Sequence, residues 1–329
     1  MGALTEDTPF EFEVVPDQGY TTDEAYALLA GLGPNTSELP APQTAAGFNP
    51  RQLRDWHGRW EKLKQSFKPA GSGDKFNFIE HLGRVERAVS ESHKALSTEN
   101  THTYKGAWLP ERDKLHRQIV DDLYKQAANV PNQGRAIMLG GPAGAGKSTV
   151  LEGKLRVKPG SFLVINPDDI KEELARRNLV PEIPGYDDLS PMDRTTLVHR
   201  ESVRIADMLA DRAYRDRKNL IWDTTMTRSD LALYRIKRMR QSGYDDIRGV
   251  FVNADDHVAI QRVRARYMRG AHDYSQGKGL GGRFVPQAIQ DQMSTGETRA
   301  SFKYVRRYFD DWKMYDNSGS SPRLHSEKN

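Results

Sequence analysis

Nine consecutive residues carry the clearest chemistry in this chain: Gly141, Pro142, Ala143, Gly144, Ala145, Gly146, Lys147, Ser148 and Thr149. They fit the pattern G-x-x-x-x-G-K-[ST]. Glycines at that spacing let the backbone turn its N–H groups onto a phosphate. Lys147 adds a point charge for the outer phosphates, and the Ser148 hydroxyl is the kind of oxygen that ligates magnesium. The apolar run AIMLG (136–140) precedes the motif and an amphipathic stretch over 147–156 follows it. The loop therefore stands between a strand and a helix, whose N-terminal dipole end favours an anion. ATP and Mg2+ are the cofactors this implies.

A second group follows the run SFLVIN (161–166). Asn166 has the side chain of an N-cap, Pro167 suits the first helical position, and Asp168 and Asp169 lie in the first turn. Two readings stay open: carboxylates that stabilise a helix start, or a carboxylate at a strand end facing the outermost phosphate, where it orients a hydroxyl and takes its proton. Asp223 closes the run NLIWD (219–223) in the manner of a short Walker B, either holding magnesium through water or making an Asx turn. Thr225, two residues on, is a candidate hydrogen-bond partner of the acceptor. Arg262, Arg266 and Arg269 share a helical face. The glycine-rich segment 277–282, read as a mobile loop, ends in Arg283. Arginines so arranged form either a basic, even RNA-binding, surface stripe or a lid closing over a transferring phosphoryl group.

These residues need a scaffold with its strand ends aligned. Apolar runs at 136–140, 161–166, 219–223 and 249–253 alternate with helical stretches near 147–156, 168–177, 193–217, 229–242 and 255–270. Alternation of this kind predicts an α/β fold, a parallel sheet flanked by helices. A further helix is expected over 286–311, and 317–329 reads as a flexible tail. Upstream, the spacing of Leu53, Trp56, Trp60, Leu63 and Phe67 predicts a helix, and another is expected over 75–97. A short helix at 22–31 and a Pro/Gly-rich linker at 32–49 precede them. The expected divisions are an N-terminal arm and linker (1–49), a helical extension (50–107), a phosphate-loop kinase domain (108–316) and the tail.

Composition narrows the class. The chain of 329 residues has no cysteine, which excludes disulfides, Cys-ligated zinc and a thiol nucleophile. Its 49 basic and 45 acidic residues leave a net charge of +4, which gives no argument for bulk nucleic-acid binding and leaves nucleic acid open. No apolar run is long enough to span a membrane, and the acidic start MGALTEDTPF is not a signal peptide, so a cytoplasmic location is expected. No N-K-x-D guanine signature is present, and the layout is that of a small-molecule kinase.

Taken together, GGPAGAGKST, VINPDDIK, the HRES helix, WDTT and GGRFVP, in that order, resemble the zeta-toxin family of P-loop kinases over about residues 108–312. The resemblance implies ATP/Mg-dependent phosphorylation of the 3′-hydroxyl of the amino sugar in UDP-N-acetylglucosamine. It implies that Lys147 and Ser148 bind phosphates and metal, and that Asp168 is the base, with Asp169 as fallback. Glu201 and Thr225 would hold the acceptor, and Arg266 and Arg283 would clamp the phosphoryl group, Arg262 being the substitute for Arg266. Asp223 stands where some members have Glu. Relatives of similar layout phosphorylate polynucleotide ends, antibiotics or NAD. A competing view makes the chain an interaction protein with a regulatory nucleotide site. The N-terminal region has no counterpart in a minimal toxin and is read as a site for an antitoxin or docking partner. Deletion of residues 1–100 is accordingly expected to leave catalysis intact.

Overall fold

The computed structural model describes residues 78–285 and 296–328, together with the strand residues 53–54 and 60–61. All of them belong to the compact unit Gly47–Asn329; the other unit, Met1–Ala46, which includes the helix expected at 22–31, lies outside the described residues.

A six-stranded sheet forms the centre. Its strands are β1 (Arg135–Gly140), β2 (Leu163–Ile165), β3 (Leu220–Asp223), β4 (Asp246–Asn253), β5 (Asp311–Asp316) and β6 (Arg323–Glu327). Their order is β6-β5-β4-β1-β3-β2, parallel throughout except for β6, which runs antiparallel to β5. The helices are α1 (Phe78–Leu96), α2 (Pro110–Gln126), α3 (Lys147–Gly153), α4 (Pro167–Arg176), α5 (His199–Arg215), α6 (Ser229–Gln241), α7 (Asp256–Ser275) and α8 (Glu297–Val305).

The inner strands are apolar along their length because helices cover both faces. Alternate residues point to opposite faces. Met138 and Trp222 join the core beneath α2, α4, α5, α6 and α8. Ile137, Leu139 and Ile221 join a second core beneath α3 and α7. A third apolar cluster joins Val85, Ala88 and Val89 of α1 to Leu189, Leu197, Tyr267 and Phe284.

Register places the chemistry. Leu139 lies opposite Asp223, and Ile165 lies opposite Trp222. The strands β1, β2 and β3 thus end together, and the loops that follow them emerge at one edge of the sheet. That is where ligands bind in open parallel sheets.

Four expectations change. The helix expected through Leu53 and Trp60 is replaced, where described, by antiparallel pairing of Leu53–Arg54 with Trp60–Glu61; Gly58 between them disfavours a helix. The helix expected over 286–311 is confined, in the described residues, to α8, and 286–295 lies outside them. The tail expected at 317–329 is not flexible where described, over 317–328: Arg323–Glu327 adds β6 to the sheet, and Asn317 is buried. Finally, α1 is packed into the third cluster rather than set apart from the kinase core. Among the described residues no helix is long and apolar enough to cross a membrane.

Candidate active site

The phosphate loop is wedged between its neighbours. Gly141, Gly144 and Gly146 have φ of 133°, 78° and 81°. A Cβ at Gly141 would lie 2.1 Å from the Val252 carbonyl oxygen, and one at Gly144 would lie 2.2 Å from that of Ala259. Glycine is required here for the turn and also for the close approach to β4 and α7. Behind the loop, Asn317 Nδ2 donates to the Ala145 carbonyl at 2.7 Å. Lys147 opens α3 and reaches back to donate to the Gly141 carbonyl at 3.1 Å. The Ser148 and Thr149 side chains are exposed at the same helix start.

From the lysine a polar chain leads to the acids. Lys147 Nζ is 3.6 Å from Asp223 Oδ1, and Asp223 Oδ2 accepts from Asn166 Nδ2 at 3.2 Å. Asn166 Oδ1 in turn accepts from the Asp168 N–H at 2.9 Å, which is the expected N-cap. Asn166 thus both caps α4 and bonds Asp223, beside Lys147.

Asp168 is held by two cations. Lys171 Nζ lies 3.1 Å from Oδ1, and an Arg283 guanidinium nitrogen lies 3.2 Å from Oδ2. Burial alone would raise this carboxyl; Lys171 and Arg283 override it and hold the group well below the usual carboxylate range. Arg283 also bonds Glu172 at 2.6 Å and approaches Asp169 at 3.5 Å. Asp169 behaves differently: desolvation pushes it up to about 6, helped by Glu172, Asp223 and Asp168 and opposed by Arg283. Arg266 is lowered by desolvation and then by Arg283. His199, at the head of α5, is driven down to about 3 by Lys171 first and by burial second. Asp168 is half-buried, and Asp169, Arg266 and His199 are exposed.

The remaining expected residues are dispersed. Arg262 donates to the Gly144 carbonyl at 3.4 Å and so belongs to the phosphate loop. The Thr225 hydroxyl pairs with that of Thr227 at 3.3 Å, and its carbonyl accepts from the Gly141 N–H. Glu201 is fully buried, with Arg112 gripping both oxygens at 2.6 and 2.8 Å and His116 Nε2 at 2.8 Å. Burial works upward on it, and the hydrogen bonds of His116 and Arg112 bring it down to about 2. The structure thus gives Glu201 a buried partner set, with no bond to the Asp168 group.

The segment around Arg283 is docked, not the mobile loop expected. The Leu280 carbonyl accepts from the Met192 N–H at 3.2 Å. A Cβ at Gly281 would lie 2.0 Å from Ser190 Oγ, and one at Gly282 would lie 2.2 Å from the Tyr267 carbonyl. Glycines here permit close backbone packing. Sequence reasoning did not single out Lys171, Glu172 or Asn317. The spacing of Lys171 and Glu172 from Asp168, one turn along a helix, was a usable signal; Asn317 had none.

The zeta toxin family model matches residues 121–329, more than half the chain. The chain belongs to the zeta toxin family. It is an ATP-dependent phosphotransferase of the P-loop kinase fold. The two AvrRxo1 structures that follow agree on the fold. The complex of AvrRxo1-ORF1 and AvrRxo1-ORF2 with sulphate ions matches at TM-score 0.52 and 16% identity, over 70% of this chain and 71% of that one. The same pair with ATP matches at 0.51 and 15%, over 79% and 74%. The PezAT toxin–antitoxin system of Streptococcus pneumoniae gives 0.47 and 14%, over 65% and 80%. No curated protein sequence matches.

Proposed function

We propose that this zeta-family kinase transfers the γ-phosphoryl group of ATP to a sugar-nucleotide hydroxyl, the 3′-hydroxyl of UDP-N-acetylglucosamine being the acceptor. The observation that supports it is the unbroken polar chain Lys147–Asp223–Asn166–Asp168, which links the phosphate loop to a partly exposed carboxylate. Asp168 orients the acceptor hydroxyl and takes its proton as the hydroxyl oxygen bonds to phosphorus and ADP departs. In a loose phosphoryl transition state positioning matters more than basicity, so a firmly ionised, doubly held carboxylate suits the role. Arg283 and Arg266 face the same space and offset the charge that spreads over the transferring group.

The donor set fits magnesium. The Ser148 hydroxyl and the Asp223 carboxylate are hard oxygen ligands, and no cluster of three metal-binding side chains competes among the described residues. Ser148 would hold the ion directly and Asp223 through water. When bound, magnesium neutralises charge on the β- and γ-phosphates. The same proposal places the protein in the cytoplasm and gives it a protein partner, as AvrRxo1-ORF1 was solved with AvrRxo1-ORF2.

Incubation with ATP, magnesium and UDP-N-acetylglucosamine should yield a product heavier by one phosphate. No such product, from protein that binds ATP, rejects this acceptor. A panel of NAD, nucleosides and polynucleotide ends then identifies the hydroxyl that is used.

A further inference from the structure

Beside Arg266 and Arg283 lies a buried polar network that the proposed reaction does not use. Tyr267 follows Arg266 on α7 and is buried where Arg266 is exposed. Its hydroxyl donates to Asp193 Oδ1, and Asp193 Oδ2 accepts from the Ser190 N–H at 2.9 Å and the Ser190 hydroxyl at 2.7 Å. With the phenol proton committed to Asp193, His81 Nε2, 2.8 Å from the Tyr267 oxygen, must be the donor in that contact. His81 belongs to α1.

The same helix reaches Arg283. Gly281 and Gly282 lie against Ser190 and the Tyr267 carbonyl, and Phe284 is buried with Val85 and Val89. Arg283 is therefore held between two anchored positions. Arg84 strengthens the seam by bonding Asp188 at 2.7 Å.

We infer that α1 is an integral strut of the phosphoryl clamp, and that His81, Tyr267 and Asp193 are positioning residues that set the rotation of α7 and the path of the Arg283 segment. The inference rests on the reading of Arg266 and Arg283 given above. It reverses the expectation that residues 1–100 are dispensable: a chain lacking α1 keeps its phosphate loop and loses the alignment of its arginines. Tyr267 to Phe removes one oxygen and leaves the apolar packing in place.

Calorimetry with the full chain and magnesium tests this, with ADP and the non-hydrolysable AMP-PNP as probes. The clamp grips only the outermost phosphate, so the native protein should prefer AMP-PNP. In Tyr267→Phe and His81→Ala the preference should fall about tenfold, the scale of one charge-assisted hydrogen bond, with ADP affinity unchanged. His81→Gln, which restores a donor near the Nε2 position, should recover it. An unchanged preference in both variants overturns the inference, as does an equal loss of ADP affinity, which marks general unfolding. Native protein that binds neither probe rejects the nucleotide site itself, and the strut with it.

Discussion

Two regions of this molecule have nearly the same composition and opposite character. At the head of α4, Asp168 stands between Lys171 and Arg283 with 43% of its side chain exposed. On α5, Glu201 stands between Arg112 and His116 with none exposed. Both carboxyls are held below their ordinary range by two basic neighbours acting against burial. The charges alone do not distinguish these two carboxyls. What separates them is access: Asp168 is partly open to solvent, whereas both oxygens of Glu201 are closed off by Arg112 and His116.

The comparison breaks most visibly at Asp168. Asp168→Asn should lower transfer by roughly 10²–10⁴-fold, the usual contribution of a positioned base, with ATP affinity retained. Nucleotide binding and product formation, measured side by side, check this. Glu201→Gln should cost stability instead, about 3–5 kcal/mol, because it leaves the largely shielded Arg112 without its buried counter-charge. Denaturant melting reads the loss, and an acceptor KM that rises in protein still folded would return Glu201 to the acceptor site.

A smaller effect distinguishes the two neighbouring acids. A carboxylate base must be ionised, so activity falls as pH drops through its folded pKa. With Asp168 as base the acid limb lies below the ordinary carboxylate range. With Asp169 it lies near 6. Lys171→Met should move the Asp168 limb upward, since one of its two stabilising cations is gone, and Lys171→Arg should move it back. The pH dependence of kcat/KM decides between these outcomes. The smallest effect is expected at Arg117, whose ion pair with Asp113 on the exposed face of α2 is solvated. Its replacement by Ala should change stability by no more than about 0.5 kcal/mol.

The central strands and the phosphate loop were legible because buried parallel strands are continuous apolar runs and the loop's glycines fall at fixed spacing. The edge was not. DWKMYD and RLHSE are polar, because β5 is only partly covered and β6 is largely exposed, so neither shows an apolar run. The site divided along the same line. Asp168, Lys147, Asp223 and Arg283 follow strands or stand in motifs, and they converge. Glu201 looked like a surface residue of a helix, and its burial depends on Arg112 and His116, which are about 85 residues away in the chain. Pairings at that distance leave no trace in local spacing. Gly281 and Gly282 read as freedom, yet they mark where the chain lies tight against the Ser190 side chain and the Tyr267 carbonyl.

Asn317 gives the order of synthesis a meaning. The Walker sequence leaves the ribosome long before the side chain that braces it, since the carbonyl of Ala145 waits for a partner 172 positions downstream. A polypeptide stopped short of residue 317 would hold the entire signature, with β4 and α7 against it, and lack this one brace.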